Sequence, residues 1–529
     1  MATNNSLLID LNDDARETAK ALYDRLESDR KNYTDRAEIN AQYTIPALFP
    51  KSADTPSTKY EVCNQSIGAR GVNNLSSKLL LALFPANTAF FKLSMRADIE
   101  KQYLASGQQD VKQQIEQALM QIEQLVLRYI ETNQIRVTVK EALIQLLIAG
   151  NALLFLPPAE GGAKLYRLSN YVCQRDGLGN VLQIVARDTL SYSSCTEEIR
   201  KLIDTDGVEH KSDEEVNIYT HTYFDGEQYQ SYQEVNQQVL QGSEQSYPLL
   251  KTPWIALRFT KVDGENYGRS YVEEYIGDLK ALDGHSEALL NASTIASHIL
   301  FLVNPTGTTQ ARRLAKAKTG DFVAGKADDV SCLQLDKAVD MQVTMKMVET
   351  LERRLAYVFM LNSAVQRQAE RVTAEEIRYV AGELEDTLGG TYSILSQELQ
   401  LPLVRRLIVQ LEKGGQIPEL PEGAVEPAIT TGLEAIGRGH DASKINTFLQ
   451  YMKMIPGSEQ FVHLNTLLLE TATATGLDVT GLIKTAEEIQ QEQQQAQMQA
   501  MTQQATPELT KGFVQAQQGG EQPVPQQAK

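Results

Sequence analysis

The spacing of apolar residues divides the chain into three regimes. The first, up to residue 149, follows the helical period. Leu22, Leu26 and Tyr33 fall among the apolar positions of a highly charged segment and predict an amphipathic helix over 10–38. A proline-punctuated loop containing IPALFPKSADTPSTKY occupies 40–60. Helices are expected next over Gly68–Leu83, stopped at Phe84-Pro85, and over Val111–Thr132, where Ile115, Leu119, Ile122, Val126 and Tyr129 make one stripe. A further helix, Val137–Ala149, runs into the most apolar stretch of the chain, Ala142–Leu156. Gln145, Gly150 and Asn151 interrupt that stretch, so it is too short and too polar for a membrane span of ~20 residues. It reads as a buried helix stopped at Gly150-Asn151, then a short strand before Pro157-Pro158.

The second regime, 151–265, alternates short β-rich runs with turns: LLFLP, KLYRLSNYVCQRD, GLGNVLQIVARD, VNIYTHTYF and WIALRFTKV. Gly177-Leu178-Gly179-Asn180 lies between two of them and predicts a hairpin turn. Helices followed by strands make this part α+β.

The third regime returns to the helical period. Val272, Ile276, Leu279, Leu282 and Leu289 form one stripe of a long helix expected over Tyr267–Leu302, with Glu273, Lys280 and Glu287 off it. Residues 303–344 break the pattern. They hold Asn304-Pro305-Thr306-Gly307, a basic run of Arg312, Arg313, Lys316 and Lys318, and two expected short strands around Phe322-Val323 and Cys332-Leu333. A second helix, Met345–Asn362, carries Val348, Leu351, Leu355 and Val358. If the two helices are antiparallel, the insert sits at their tip. A polar loop with Arg367 and Arg371 follows, then a capping box, Thr373 with Glu376, opening a helix toward Leu388. Gly389-Gly390 interrupts it, and a helical pattern resumes through Ile394, Leu399, Val404 and Ile408. Pro418, Pro421 and Pro427 mark a boundary before several short helices over 430–488. From Gln490, 15 of 40 residues are Gln, a composition that predicts disorder.

The net charge of −18 argues against tight nucleic-acid binding, whose affinity comes from cations on phosphates. It also argues against an anionic membrane surface. The acidic N-terminal stretch MATNNSLLIDLNDDARE has no signal-peptide pattern, so the chain is expected in the cytoplasm. Cys63, Cys173, Cys195 and Cys332 are far apart and read as isolated thiols, neither a zinc site nor a disulfide framework.

Candidate catalytic chemistry is sparse. Gly320–Lys326, GDFVAGK, spells a phosphate-loop pattern, but Ala327 stands where Ser or Thr should hold Mg²⁺, and a turn is expected instead. His210, His221, His285, His298, His440 and His463 are scattered without metal-ligand spacing. The acidic runs Asp213-Glu214-Glu215 and Glu383, Glu385, Asp386 read as solvated faces. The residues thus define a large α+β protein with a helix–insert–helix element, no expected cofactor or metal, and no expected enzymatic activity.

Seven segments carry a resemblance. They are QYTIPALFP (42–50), GARGVNNLSSKLLLALFP (68–85), KLYRLSNYVCQRD (164–176), YGRSYVEEYIGDL (267–279), TGDFVAG (319–325), LNSAVQRQAERVTAEEIRYVAGELEDTLGGTYSILSQELQLPLVR (361–405) and EPAITTGLEAIGRG (426–439). Together they resemble the portal, or head-to-tail connector, proteins of short-tailed, autographivirus-like bacteriophages. The match fades after residue 441, and the Gln-rich tail departs from the family.

The resemblance implies a mainly helical α+β portal fold assembled as a dodecameric ring around an axial channel. It divides the chain into a wing (1–265 and 375–431), stem helices (266–302 and 345–362), a clip (303–344), a tunnel loop (363–374), a helical crown (432–488) and the tail (489–529). It implies a virion component at the unique capsid vertex, made in the host cytoplasm, that nucleates head assembly and passes double-stranded DNA during packaging and ejection. The implied partners are further copies of the chain, DNA without sequence preference, the terminase large subunit, scaffolding protein, major capsid protein, tail adaptor and internal core proteins, but no membrane. A non-portal structural adaptor of the virion neck stays open as the alternative. An acidic wall would let DNA slide, and Glu273, Glu274, Asp278 and Glu349 are its candidates. Arg367 and Arg371 would touch phosphates from the tunnel loop. Arg312, Arg313, Lys316 and Lys318 would dock an acidic partner at the clip.

Overall fold

The first helix, α1 (Ala19–Gln42), is capped twice. Thr18 Oγ1 accepts from the Ala21 N–H at 3.2 Å, and the carboxylate of Glu234, distant in sequence, accepts from the N–H groups of Ala19 and Lys20 at 2.6 and 3.1 Å. An anion at a helix N-terminus satisfies free donors and complements the helix dipole. This computed structural model describes residues 17–429, apart from 52–53, 56, 86–88, 97, 100–108, 159–160, 205–209, 298–299, 334–337, 362–381, 383, 385–386, 389, 419 and 421–424. The expectations for the tunnel loop with Arg367 and Arg371, the Thr373/Glu376 capping box, the acidic run at 383–386, the crown and the Gln-rich tail lie wholly or largely outside the described residues.

After a short 3-10 turn at Pro46–Leu48 comes α2 (Ile67–Leu83), then a strand that the periodicity did not announce, β1 (Phe91–Met95). Helices α3 (Gln109–Thr132) and α4 (Ile135–Ala149) match their expected positions within two residues. Gly150, at φ +75°, ends α4 where expected. A side chain there would also strike the backbone, since an added Cβ would lie 2.6 Å from the carbonyl carbon of Arg269.

The strands form antiparallel sheets. β2 (Asn151–Phe155) is the middle strand of a three-stranded sheet, between β3 (Lys164–Tyr166) and a later strand, β10. The larger, six-stranded sheet is a meander of β4 (Tyr171–Arg175), β5 (Val181–Ser191), β6 (Glu215–Phe224), β7 (Gln228–Val235) and β8 (Gln238–Val239), with β9 (Gln245–Pro248) also on β7. A short helix, α5 (Glu197–Ile203), interrupts it. The β4–β5 turn is the expected hairpin: Asp176 Oδ1 accepts from the N–H groups of Leu178 and Asn180, and Gly179 takes φ +92°. Leu22, Tyr23 and Leu26 of α1 pack on Val172, Val185 and Tyr219 of this sheet. β10 (Trp254–Arg258) closes the β-rich part.

The long helix α6 (Tyr271–Ser297) is shorter than the expected Tyr267–Leu302 at both ends. Its start is delayed because Gly268 is fixed to the Asn151 side chain and Arg269 bridges to Thr260 in a strand-like pair. Beyond it, Leu300–Val303 form β11, where an apolar run had read as a continuation of the helix. The partner of β11 is β12 (Val330–Leu333), which contains the expected strand at Cys332-Leu333. The other expected strand is absent: Phe322-Val323 belong to no helix or strand and have no ladder partner among the described residues. Between β11 and β12 lies the one-turn helix α7 (Ala311–Leu314).

Helix α8 (Ala338–Val358) starts earlier and stops earlier than Met345–Asn362. It breaks at Met360, which sits in the left-handed region at φ +54°. A short helix α9 (Gly390–Leu395) passes through a π turn at Ser396–Gln400 into α10 (Leu401–Lys413). The last described strand, β13 (Val425–Ile429), pairs with β1, setting Leu93 opposite Pro427. Pro427 therefore lies within a strand rather than at a boundary. Among the described residues the architecture is α+β, with helices carrying more of the chain than strands.

Candidate functional site: the helix pair, its root and the insert

The helix–insert–helix element is a packed pair at one end and an open one at the other. Val272, Leu279 and Leu282 of α6 are buried, as are Leu351, Leu355 and Phe359 on or just beyond α8. The Tyr271 hydroxyl donates to the Val358 carbonyl at 3.0 Å, and its ring meets Phe359 edge-on at 6.0 Å between centroids. Asp278 and Arg354 join the two helices at 3.0 Å. Toward the insert the apolar positions lose their cover. Leu290, Ile295, Val343, Met345 and Met347 are all exposed.

The closed end is rooted on α2. Helix C-termini leave carbonyls without intrahelical partners. Here Asn74 donates to the carbonyls of Phe359 and Met360 at 3.0 and 3.1 Å, and Lys78 donates to Met360 at 3.1 Å. Gly71 lets Phe359 pack directly on α2; an added Cβ would lie 2.4 Å from the Phe359 ring. The chain next enters 362–381, which includes the expected tunnel loop.

At the N-terminal end of α6, Glu273 is paired with Arg269 at 3.2 Å and with Arg36 of α1 at 3.3 Å. Glu265 completes the cluster, binding Arg269 at 2.6 Å and accepting from the Tyr33 hydroxyl at 2.6 Å. Burial, then the Glu265 hydrogen bond, push the Tyr33 phenol up to about 12. Of the four acidic candidates, Glu273 and Asp278 are thus held in ion pairs. Glu274 and Glu349 are exposed and make no ion pair among the described residues.

The insert is organised by one carboxylate. Asp329 Oδ2 accepts from the N–H groups of Thr308 and Thr309 at 2.9 and 3.2 Å and from the Thr309 hydroxyl at 3.0 Å. Its backbone carbonyl takes the Asn304 N–H at 2.8 Å. Hydrogen bonds from Thr309 and then Thr308 hold the Asp329 carboxyl below the usual range. On this frame Arg312, Arg313, Lys316 and Lys318 are all exposed, as expected of a docking or solvated run. The GDFVAGK segment has no helix after Lys326, only a 3-10 turn at Ala327–Asp329, and so lacks the helix N-terminus of a phosphate loop. Gly320 turns the chain at φ +97°, Gly325 packs on Thr309, and Phe322 between them is fully exposed.

The importance of Asp329, Asn74 and Phe322 was not read from the sequence. Asn304-Pro305-Thr306-Gly307 and TGDFVAG were the signals nearest to it. Among the described residues there is no cluster of three or more metal-ligating side chains, and no helix long and apolar enough to cross a membrane. Cys63, Cys173 and Cys195 are unpaired.

Comparison with known proteins places this geometry. Residues 16–483 match the family described as bacteriophage head to tail connecting protein. The portal protein of Escherichia phage T7 is 50% identical over 486 residues, 90% of this chain and 90% of the relative. That of Enterobacteria phage T3 is 51% identical over 479 residues, 89% of each chain. That of Enterobacteria phage SP6 is 30% identical over 435 residues, 82% of each. Among solved structures, the neck of an empty gene transfer agent particle aligns over 78% of this chain and 91% of its own at 12% identity, with a TM-score of 0.36. The chain belongs to the bacteriophage head-to-tail connecting family. The expected portal role and the expected place in the virion are borne out by these relatives. The alternative of a non-portal neck adaptor falls away.

Proposed function

We propose that copies of this chain, twelve in the arrangement the resemblance implies, close into a ring whose axial channel carries double-stranded DNA into and out of the head. The observation that carries this reading is the exposed apolar half of the stem, Leu290, Ile295, Val343, Met345 and Met347, on a chain whose relatives are portal proteins. Such residues need covering, and identical neighbours in a closed ring supply identical cover to each copy. The net charge of −18 suits a conduit, because a basic wall would hold the duplex by its phosphates.

In this reading residues 303–344 are the clip, closed at its base by the β11–β12 pair. Its exposed Arg312, Arg313, Lys316 and Lys318 meet the terminase large subunit during packaging and the tail adaptor afterwards. Glu274 and Glu349 are the acidic candidates free to face the channel, while Arg367 and Arg371 supply a few phosphate contacts that restrain packaged DNA. The wing faces the major capsid and scaffolding proteins, and the crown faces the internal core proteins. The role is mechanical, without catalysis, cofactor or metal.

Counting full and empty heads tests it. Heads assembled in infected cells that lack this chain should contain no DNA, and normally filled heads would overturn the conduit role. The same count with Arg367→Ala/Arg371→Ala should show intact rings and poorer filling or retention. Normal filling would remove the two arginines from the account.

A further inference from the structure

The side of α8 turned away from its buried leucines carries a line of four residues. Lys346, Thr350, Arg353 and Tyr357 recur at the helical period, so they lie above one another along the helix. All four are exposed, Tyr357 to 79%. The buried Leu351 and Leu355 lie on the opposite side. No carboxylate falls on the line. Glu349 and Glu352 sit to one side of it, and Arg354, to the other side, is taken by Asp278. Neither Lys346 nor Arg353 makes an ion pair among the described residues. The Thr350 hydroxyl donates back to the Lys346 carbonyl at 2.8 Å, which leaves the two cations and the phenol to face outward. In a chain of net charge −18 such a line stands out.

Exposed apolar residues give the line a direction. Met345 lies on one flank of it, Val343 and Met347 on the other. In a closed ring each helix pair has a neighbour on either side, and neighbours that cover both flanks leave the line between them bare. With α6 behind the buried leucines, the bare side faces the axis. We propose that Lys346, Arg353 and Tyr357 of each copy touch the phosphates of duplex DNA in the channel. This deepens the conduit reading and rests on it. Lys346 and Arg353 are seven residues apart, so a ring carries two levels of positive charge about 10 Å apart along the helix. Tyr357 adds a hydroxyl donor one turn further on, and contacts of this kind hold the duplex in place without reading its bases. Charge complementarity selects the occupant: cations without carboxylates fit a polyanion, whereas a neighbouring copy would have to offer an acidic face. Between the two free acidic candidates this arrangement selects Glu349, which borders the line and weakens its grip, so the duplex is guided rather than held.

The test places the photoreactive residue p-benzoylphenylalanine at position 357 of the full-length chain, and separately at position 350 on the same line, and irradiates heads filled with DNA. The expected result is a chain–DNA adduct that nuclease shortens, absent from empty heads. The same residue at position 347, on a flank, should give chain–chain dimers instead. Chain–chain dimers alone from positions 357 and 350, or filled heads without a DNA adduct, would overturn the axial line and leave the ring standing. Lys346→Gln/Arg353→Gln should form rings normally and lower the share of full heads several-fold. Unchanged filling would overturn the phosphate contact. Absence of rings from the unsubstituted protein would overturn the ring reading and this inference with it.

Discussion

Asn74 on α2 donates its side-chain N–H to the Phe359 carbonyl at 3.0 Å across 285 positions of sequence. With the second bond to Met360, one amide fixes the point just beyond the end of α8, where the chain continues into 362–381. Replacing Asn74 with Ala leaves the Phe359 carbonyl, at a buried position, without this donor. An unsatisfied buried group costs about 1–3 kcal/mol, so the melting temperature should fall by several degrees. Asn74→Asp, which offers a carboxylate to two carbonyls, should be no better. An unchanged thermal melt of Asn74→Ala would show that the root is held by other contacts.

A larger loss is expected at the π turn. Arg258 of β10, its side chain only 3% exposed, is paired with Glu398 at 2.5 Å. Glu398→Ala would strand that cation, at a cost of about 3–5 kcal/mol. Glu265→Ala breaks a network in which Arg269 is 32% exposed and keeps Glu273, so a smaller effect is expected. Equal destabilisation in chemical denaturation would contradict this ordering.

The insert between α6 and α8 should loosen in acid. Hydrogen bonds from Thr309 and Thr308 lower the folded-state pKa of Asp329. The unfolded carboxyl titrates near ~4. A depressed folded value gives stabilisation that is fully present above the unfolded pKa and is lost as pH falls through the folded one. Amide protection of Thr308 and Thr309 should therefore drop below about pH 4, the ordinary Asp value. Asp329→Asn should weaken that protection already at neutral pH and flatten its pH dependence. Hydrogen exchange followed by mass spectrometry reads both, and identical profiles for the two proteins would exclude Asp329 as the organiser.

The basic run makes a separate prediction. Arg312→Glu/Arg313→Glu should spare ring formation, because both side chains are exposed, and should weaken binding of the terminase or tail adaptor. Wild-type binding should weaken as salt rises, with a shallower slope in the variant. Equal affinities across the salt series would leave these residues as a solvated turn.

Local signals in the sequence fared well. The Gly150 stop, the hairpin at Gly177–Asn180 and helices α2, α3 and α4 each rest on residues close in sequence. What escaped depends on distant partners. β1 was missed because its strand character comes from pairing with β13, and Pro427 looked like a breaker when read without that partner. Leu300–Leu302 reads as the end of the long helix in sequence because a short apolar run suits helix and strand alike. Asn74 and Glu398 carry no local mark of their roles: the carbonyls and the cation they serve lie on other elements. Arg367 and Arg371 lie outside the described residues, so their expected channel position stands as proposed.

The central claim is a ring with an open channel, and electron microscopy of the purified full-length protein, without nucleotide or metal, tests it most directly. The account predicts closed rings in end-on views, with an axial opening wide enough for duplex DNA and one narrow end formed by the clips. Monomers at micromolar concentration, or particles closed at the centre, would contradict it.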